Sequence, residues 1–248
     1  YSIAMTAVIV LAVLAIGMTC ILIVKHIDLS VGYVAGFMGA AAAMLLTRGL
    51  PTFAVIPIVL VFGVAIGMYQ GFLVSKIKVP AFVTTLAGMF IFRGLLSMVT
   101  ASTGTIIVRD TTFRALSNGF IPDLFGEGGI HGLTLLIGVA ASILVVAMQF
   151  TSRRNMQRYD FKVVSAPIFI AKVAFFVVIL MGVVWTLASY KGLPWTAVIV
   201  AAVLLIYNFI LSKTRLGRSI YAIGGNTEAA ELSGINVTRV TFMVFCSM

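Results

Sequence analysis

Charge is what this sequence has least of. Of 248 residues only 10% are charged and 61% are hydrophobic, against about 25% charged in an ordinary soluble domain. Acids number seven and histidines two, so clustered groups for acid–base or metal chemistry are nearly exhausted before a site begins. The two cysteines, Cys20 and Cys246, stand far apart inside apolar runs. Their spacing suggests neither a disulfide framework nor a metal site, and they read as small packing residues. No GxxxxGK[ST] phosphate loop, HExxH, CxxC or GxSxG occurs, which removes the common signatures of nucleotide hydrolysis, zinc proteolysis, thiol exchange and esterase chemistry. The chain also lacks an initiator methionine and a signal peptide with a charged leader and cleavage site. It opens and closes within apolar runs, and the expectation is a fragment truncated at both ends.

What is present is lipid-soluble sequence. Mean hydropathy is +1.17. Apolar runs fall at roughly 2–24, 29–46, 52–74, 81–100, 131–150, 165–188 and 195–212, with another from 240. Such lengths suit spanning helices of about 20 residues, and the alternation of membrane strands is missing. Backbone amides in lipid must bond within their own segment, so the runs are read as helices. The expected fold is all-α: a polytopic transmembrane bundle of about seven spans plus the start of an eighth, forming one domain over 1–248.

The net charge of +10 is placed as orientation signals are, in short gaps between runs, rather than in a nucleic-acid-binding patch. Lys76 and Lys78 follow the third run, Arg153, Arg154, Arg158 and Lys162 the fifth, and Lys213, Arg215 and Arg218 the seventh. If each run crosses once, these loops share the cytoplasmic side, and 213–239 is cytoplasmic. The opposite loop, 101–130, balances Arg109 and Arg114 against Asp110, Asp123 and Glu127. The turn KHID at 25–28 counts as cytoplasmic too, unless 24–32 is a break within the membrane.

Polar residues inside apolar surroundings are the remaining features. Arg93, within the fourth run, either snorkels or pairs structurally, or else borders a translocation path. Lys172 is read as snorkelling, His131 as interfacial, and Trp185 and Trp195 as aromatic-belt residues. Asp28 and Ser30 either cap the helix that follows or mark a discontinuous helix beside a substrate route. Gly63, Gly67 and Gly71, with Gly32 and Gly36, recur at i+4 and suit close helix packing within the bundle or against a second copy.

The segment LGRSIYAIGGNTEAAELSGINVTR, 216–239, is polar and glycine-rich between two apolar runs. Gly224 and Gly225 read as a flexible turn, and Asn226 or Thr227 as the cap of a short helix through TEAAEL. Glu228 favours the first turn and Gly234 supplies the stop. The segment is either a docking element for a soluble partner or a well-packed loop.

Within it, GRSIYAIGGNTEAAELSGI resembles the cytoplasmic loop of permease subunits from the ribose/xylose branch of bacterial ABC sugar importers. HIDLSVG and KVPAFVTTLAGMFIFRGL match the same family, and the resemblance covers essentially the whole chain. GFIPDLFGEGGIHGLTLL and ASYKGLPW look most like the multiple-monosaccharide permeases, with the xylose permeases next. The resemblance implies a bacterial inner-membrane subunit that binds no cofactor itself. ATP and Mg belong to a partner ATPase, a periplasmic sugar-binding protein delivers ligand, and a second permease copy, as a homodimer, completes the path. It also implies that Gly224, Gly225, Asn226, Glu228, Ala229, Ala230 and Gly234 form the element that couples to the ATPase. Sugar is neutral, so Thr84, Thr85 and Ser97 join Asp28, Ser30 and Arg93 as candidate path residues. A secondary transporter driven by an ion gradient is the alternative; it needs acidic or histidine relays within spans, and only Asp28 is near one. An enzyme is weaker still, for want of clustered catalytic residues, and a specific coupling loop makes a mere scaffold redundant.

Overall fold

In a computed structural model the backbone is described for residues 2–101, 104, 106–123, 130–159 and 164–248, with side chains from residue 10 onward. Glu127 and Lys162 lie outside the described residues. The described chain is helical: α1 Ser2–Ile23, α2 Val31–Thr47, α3 Thr52–Ser75, α4 Ala81–Thr100, α5 Thr111–Asn118, α6 Gly132–Arg158, α7 Ala166–Ala188, α8 Trp195–Lys213, α9 Arg215–Gly225, α10 Thr227–Leu232 and α11 Val237–Ser247. Among the described residues, five helices, α3, α4, α6, α7 and α8, are long and apolar enough to cross a membrane. Shorter apolar stretches run over Val10–Ile23, Val31–Thr47 and Val237–Ser247. The fold is therefore all-α and of membrane type. Most expected boundaries agree within a residue or two. The exceptions are α11, which begins three residues before the expected run, and α6, which continues eight residues past the apolar run, because hydropathy marks where a helix leaves lipid rather than where its hydrogen bonding ends.

The chain divides into two compact units, one of 1–118 with 196–248 and one of 119–195. In the second unit α6 and α7 form a hairpin. Phe150 packs edge-on against Phe169 at 5.2 Å between centroids, and the Arg153 guanidinium lies 4.5 Å from the Phe169 centroid, a cation–π distance. The start of α6 is heavily bonded. Asp123 accepts from the amides of Gly132 at 2.8 Å and Leu133 at 3.2 Å, satisfying donors that a helix start leaves free. His131 is a structural cap rather than the merely interfacial residue expected. Its Nε2 donates to the Ile121 carbonyl at 2.8 Å, and Nδ1 accepts from the Thr134 amide at 3.4 Å. Its ring also fills the space where a Cβ at Gly192 would stand.

In the first unit the largest buried cluster lies at one end of the helices. Cys20, Ile21 and Val24 from the end of α1 meet Val74, Ala81, Ile220, Ile223, Ala230, Val240, Val244 and Phe245. Three of these residues, Ile220, Ile223 and Ala230, come from the polar, glycine-rich segment 216–239. A smaller cluster of Ala42, Leu46 and Val55 takes in Val108 and Phe113. There Asp110 accepts from the Phe113 amide and from the Thr52 hydroxyl, both at 2.7 Å. These bonds cap α5 and tie it to the start of α3, and they hold the Asp110 carboxyl below the usual aspartate range.

The small-residue face of α3 serves intrachain packing at two of its three positions. A Cβ on Gly67 would stand 2.4 Å from the Phe245 carbonyl oxygen, and one on Gly71 3.0 Å from the Phe245 Cβ. Gly63 faces open space. Gly36 approaches Leu96 of α4, whereas Gly32 meets nothing.

Candidate functional site

Two groups of residues in the first unit carry the features relevant to function. The first is the α9–α10 segment. Thr214 caps α9, its hydroxyl accepting from the Gly217 amide at 3.2 Å. The inward face of α9 buries Ile220 and Ile223, both 2% exposed, and this packing extends the helix through the two glycines. Gly224 and Gly225 are thus the last residues of α9 and not a flexible turn. Gly224 sits where the Ile23 carbonyl of α1 approaches: an added Cβ would lie 2.2 Å from that oxygen. Gly225 has open space at the same position, and its own carbonyl accepts from Lys25 Nζ at 3.3 Å.

Asn226 then caps α10, Oδ1 accepting from the Ala229 amide at 3.1 Å; of the two expected candidates it is Asn226 and not Thr227. Glu228 stands in the first turn, where a carboxylate complements the helix dipole. The far end closes through two bonds, Ile235 N to Ala230 O at 3.0 Å and Gly234 N to Glu231 O at 2.9 Å. This paired closure places its pivot residue in the left-handed region, and Gly234 has φ +83°. Ala230 is buried in the core cluster, while Glu228, Ala229, Glu231 and Gly234 are exposed and Leu232 is 91% exposed. The result is a short helix fixed by its inner face, with an apolar and acidic outer face free.

The second group is a buried polar cluster at the start of α2. Asp28 Oδ1 accepts from the Ser30 amide and from the Ser30 hydroxyl, both at 2.7 Å. Neither side chain caps α2: Ser30 occupies the cap position with a helical backbone and no side-chain bond to the first turn. One oxygen of the Asp28 carboxylate, Oδ1, is thus taken up by the turn itself. Gln70 Nε2 donates to the Ser30 hydroxyl at 2.9 Å, and the three residues are 6%, 1% and 3% exposed in chain order. Together they line one part of a cavity of about 300 Å³ whose remaining wall is mainly apolar.

Thr85 adjoins this cluster, donating to the Ala81 carbonyl at 2.9 Å and the Ile27 carbonyl at 3.3 Å. It ties α4 to the turn that carries Asp28. Thr84 is also buried, and its hydroxyl has no hydrogen-bond partner among the described residues. Arg93 and Ser97 lie further along α4 and are exposed. The Arg93 guanidinium sits 6.0 Å from the Tyr33 ring centroid, at the limit of cation–π range. The structure thus brings Asp28 and Ser30 together with Gln70, bonds Thr85 to the adjoining turn, and places Arg93 and Ser97 further along α4. Gln70 is absent from the candidates that the sequence suggests, which are the charged and hydroxyl-bearing residues of the apolar runs. It is the sole side-chain amide in α1–α4, and that singularity is a signal. Among the described residues no group of three or more potential metal-ligating side chains occurs.

The described chain is thus all-helical and of membrane type, with a short capped loop helix whose outer face is exposed. Comparison with known proteins places it further. Over residues 1–248 the chain matches the family described as branched-chain amino acid transport system / permease component, and it belongs to that family. It is 35% identical over 234 residues to the xylose transport system permease protein of Escherichia coli (strain K12), covering 94% of this chain and 57% of the relative. It is 32% identical over 236 residues to the ribose import permease protein of Haemophilus influenzae (strain ATCC 51907 / DSM 11121 / KW20 / Rd), with 94% and 52% covered. An inner membrane ABC transporter permease protein of E. coli K12 is 28% identical over 236 residues, with 95% and 51% covered. The chain thus spans a little over half the length of these relatives. No solved structure matches it.

Proposed function

We propose that the chain is part of the permease subunit of a bacterial ATP-driven importer of monosaccharides. The observation that carries this reading is α10. A six-residue helix capped at both ends is anchored by Ala230 to the ends of α1 and α11. Its outer residues, Glu228, Ala229 and Leu232, are free to enter a groove on a soluble partner. The family membership makes an ABC ATPase the natural occupant, with ATP and Mg held on that partner. The names of the xylose and ribose relatives supply the substrate class.

On this reading residues 1–248 form one partial permease domain in the bacterial cytoplasmic membrane, with about seven spans and the start of an eighth. Residues 213–239 are its cytoplasmic coupling loop. A periplasmic sugar-binding protein delivers the ligand, and a second copy of the permease completes the path. Asp28, Ser30 and Gln70 present a carboxylate, a hydroxyl and an amide to the cavity, groups that exchange hydrogen bonds with sugar hydroxyls. Thr85 bonds to the turn that carries Asp28, and Thr84 precedes it on α4. Force enters at α10, passes to α9, and reaches α1 through the Gly224–Ile23 contact and Lys25. Coupling of this kind needs an element with two discrete arrangements that both sites bias, and a capped helix wedged against α1 suits that role better than a floppy loop.

The energy source provides the test. In cells expressing the full-length protein with its sugar-binding protein, removing the ATPase is expected to abolish sugar uptake, while collapsing the proton gradient at constant ATP leaves it intact. Uptake that survives loss of the ATPase and follows the proton gradient would replace this reading with a secondary transporter.

A further inference from the structure

Among the described residues only two that are not glycine have positive φ, and both are lysines: Lys25 at 63° and Lys78 at 67°. Lys25 follows α1 in a paired closure, its amide bonding to Leu22 O at 3.0 Å and the His26 amide to Ile21 O at 3.0 Å. Glycine is the usual occupant of such a position, and a side chain there is strained by contact with the backbone. Strain retained at two separate turns points to a use for the side chains.

Both lysines line the same cavity of about 310 Å³. Lys25 Nζ reaches the Gly225 carbonyl and Lys78 Nζ the Thr238 hydroxyl, each at 3.3 Å. Those distances are long for a charge-assisted bond, normally about 2.7–2.9 Å, and each ammonium has three donors. No aspartate or glutamate lines the cavity. Its wall includes Ala81 and Thr238, at the starts of α4 and α11, helices of 20 and 11 residues with no acid in the first turn. Helix starts present free amides and the positive end of the dipole. Ser75 also lines the cavity. It is 2% exposed, and its hydroxyl has no partner among the described residues.

We propose that this cavity is a binding site for a phosphate group, either the headgroup of an anionic phospholipid or free inorganic phosphate. Two cations, two helix starts and an unbonded buried hydroxyl converge on a space without a counter-charge. The cavity lies where α3 ends and α4 begins, beside the basic turn Lys76–Lys78. Basic pockets between helix ends at the cytoplasmic face suit anionic headgroups. A phosphate held there clips together the α1–α2 turn, the α3–α4 turn and the end of α9, so occupancy sets how firmly the α9–α10 segment is fastened.

The experiment follows thermal unfolding of the protein in neutral detergent during three titrations: short-chain phosphatidylglycerol, short-chain phosphatidylcholine and inorganic phosphate. Saturable stabilisation by phosphatidylglycerol alone assigns the site to lipid, and stabilisation by inorganic phosphate assigns it to the free anion. The double variant Lys25→Gly/Lys78→Gly removes both cations and also relieves both strained turns, so it tests the site without endangering the fold. Its unfolding midpoint without added anion is expected to hold or rise. The concentration giving half-maximal stabilisation is expected to increase about twenty-five-fold, at about five-fold per lysine. Ser75→Ala is expected to weaken the anion effect without lowering the anion-free midpoint. Equal stabilisation by the two lipids with none by phosphate, no stabilisation in any arm, or an unchanged response in the double variant would overturn the proposal.

Discussion

Gly224→Ala is expected to destabilise the protein by about 2 kcal/mol and to disconnect α9 from α1, while Gly225→Ala is expected to be neutral or stabilising by up to about 1 kcal/mol. The two positions are adjacent in one helix, so intrinsic helix propensity favours alanine equally at both. The difference is tertiary. At Gly224 the added methyl would lie 2.2 Å from the Ile23 carbonyl oxygen, a backbone atom that no side-chain rearrangement can move. Relieving it means displacing α9 from the end of α1, at an overpacking cost of about 3 kcal/mol, from which the propensity gain of about 1 kcal/mol is subtracted. At Gly225 nothing stands within 4 Å, so only the gain remains. Thermal unfolding of the two variants in parallel checks the sign, and sugar uptake by the full-length protein checks the consequence. Equal behaviour of the two variants would show that the α1–α9 contact carries neither stability nor force.

The second large effect is expected at Asp28. Asp28→Ala removes the acceptor of two short bonds, from the Ser30 amide and the Ser30 hydroxyl, in a residue only 1% exposed. Bonds to a charged group contribute about 1.5–3 kcal/mol each, and a buried amide left without a partner carries its full desolvation penalty, so a loss of about 3–5 kcal/mol is expected. Asp28→Asn keeps a side-chain oxygen at the same place and is expected to lose about 1 kcal/mol. Unfolding midpoints of the pair test this. A wild-type midpoint for Asp28→Ala would mean that the turn before α2 does not depend on its carboxylate, and the polar wall of the adjoining cavity would lose its organising group.

These two sites also show where sequence is informative and where it stops. The apolar runs located α3, α4, α7 and α8 closely, because a span must be long and apolar whatever it packs against. Asn226, Glu228 and Gly234 were legible because capping and helix closure are local, decided within about one helical turn. Gly224 and Gly225 were misread for the opposite reason. A Gly-Gly pair is locally a breaker, but the burial of Ile220 and Ile223 against α1 and α11 keeps the helix running and turns Gly224 into a contact surface. Asp28 and Ser30 drew notice as candidate caps, yet their bonds close on each other and on Gln70, forty residues away from Ser30. Helix α5 was not foreseen, since its cap Asp110 and its packing residue Phe113 sit in a loop with no apolar run. The strained lysines were invisible, because φ has no signature when the residue is not glycine.

The family description names amino acids and the similar permeases name sugars, so neither the fold nor the family fixes the substrate. What the structure presents most directly is a loop helix capped at both ends with its outer face exposed, and force is proposed to enter there. The decisive measurement is therefore made on the full-length protein reconstituted with its ATPase and its sugar-binding protein. ATP hydrolysis and sugar uptake are followed together in a variant that alters only the exposed face of α10, Glu228→Lys with Leu232→Asp. Both side chains point to solvent, so the protein is expected to unfold as the wild type does. Hydrolysis is expected to persist while sugar uptake is lost. Uptake at the wild-type level, with hydrolysis still linked to it, would contradict the assignment of α10 as the coupling element.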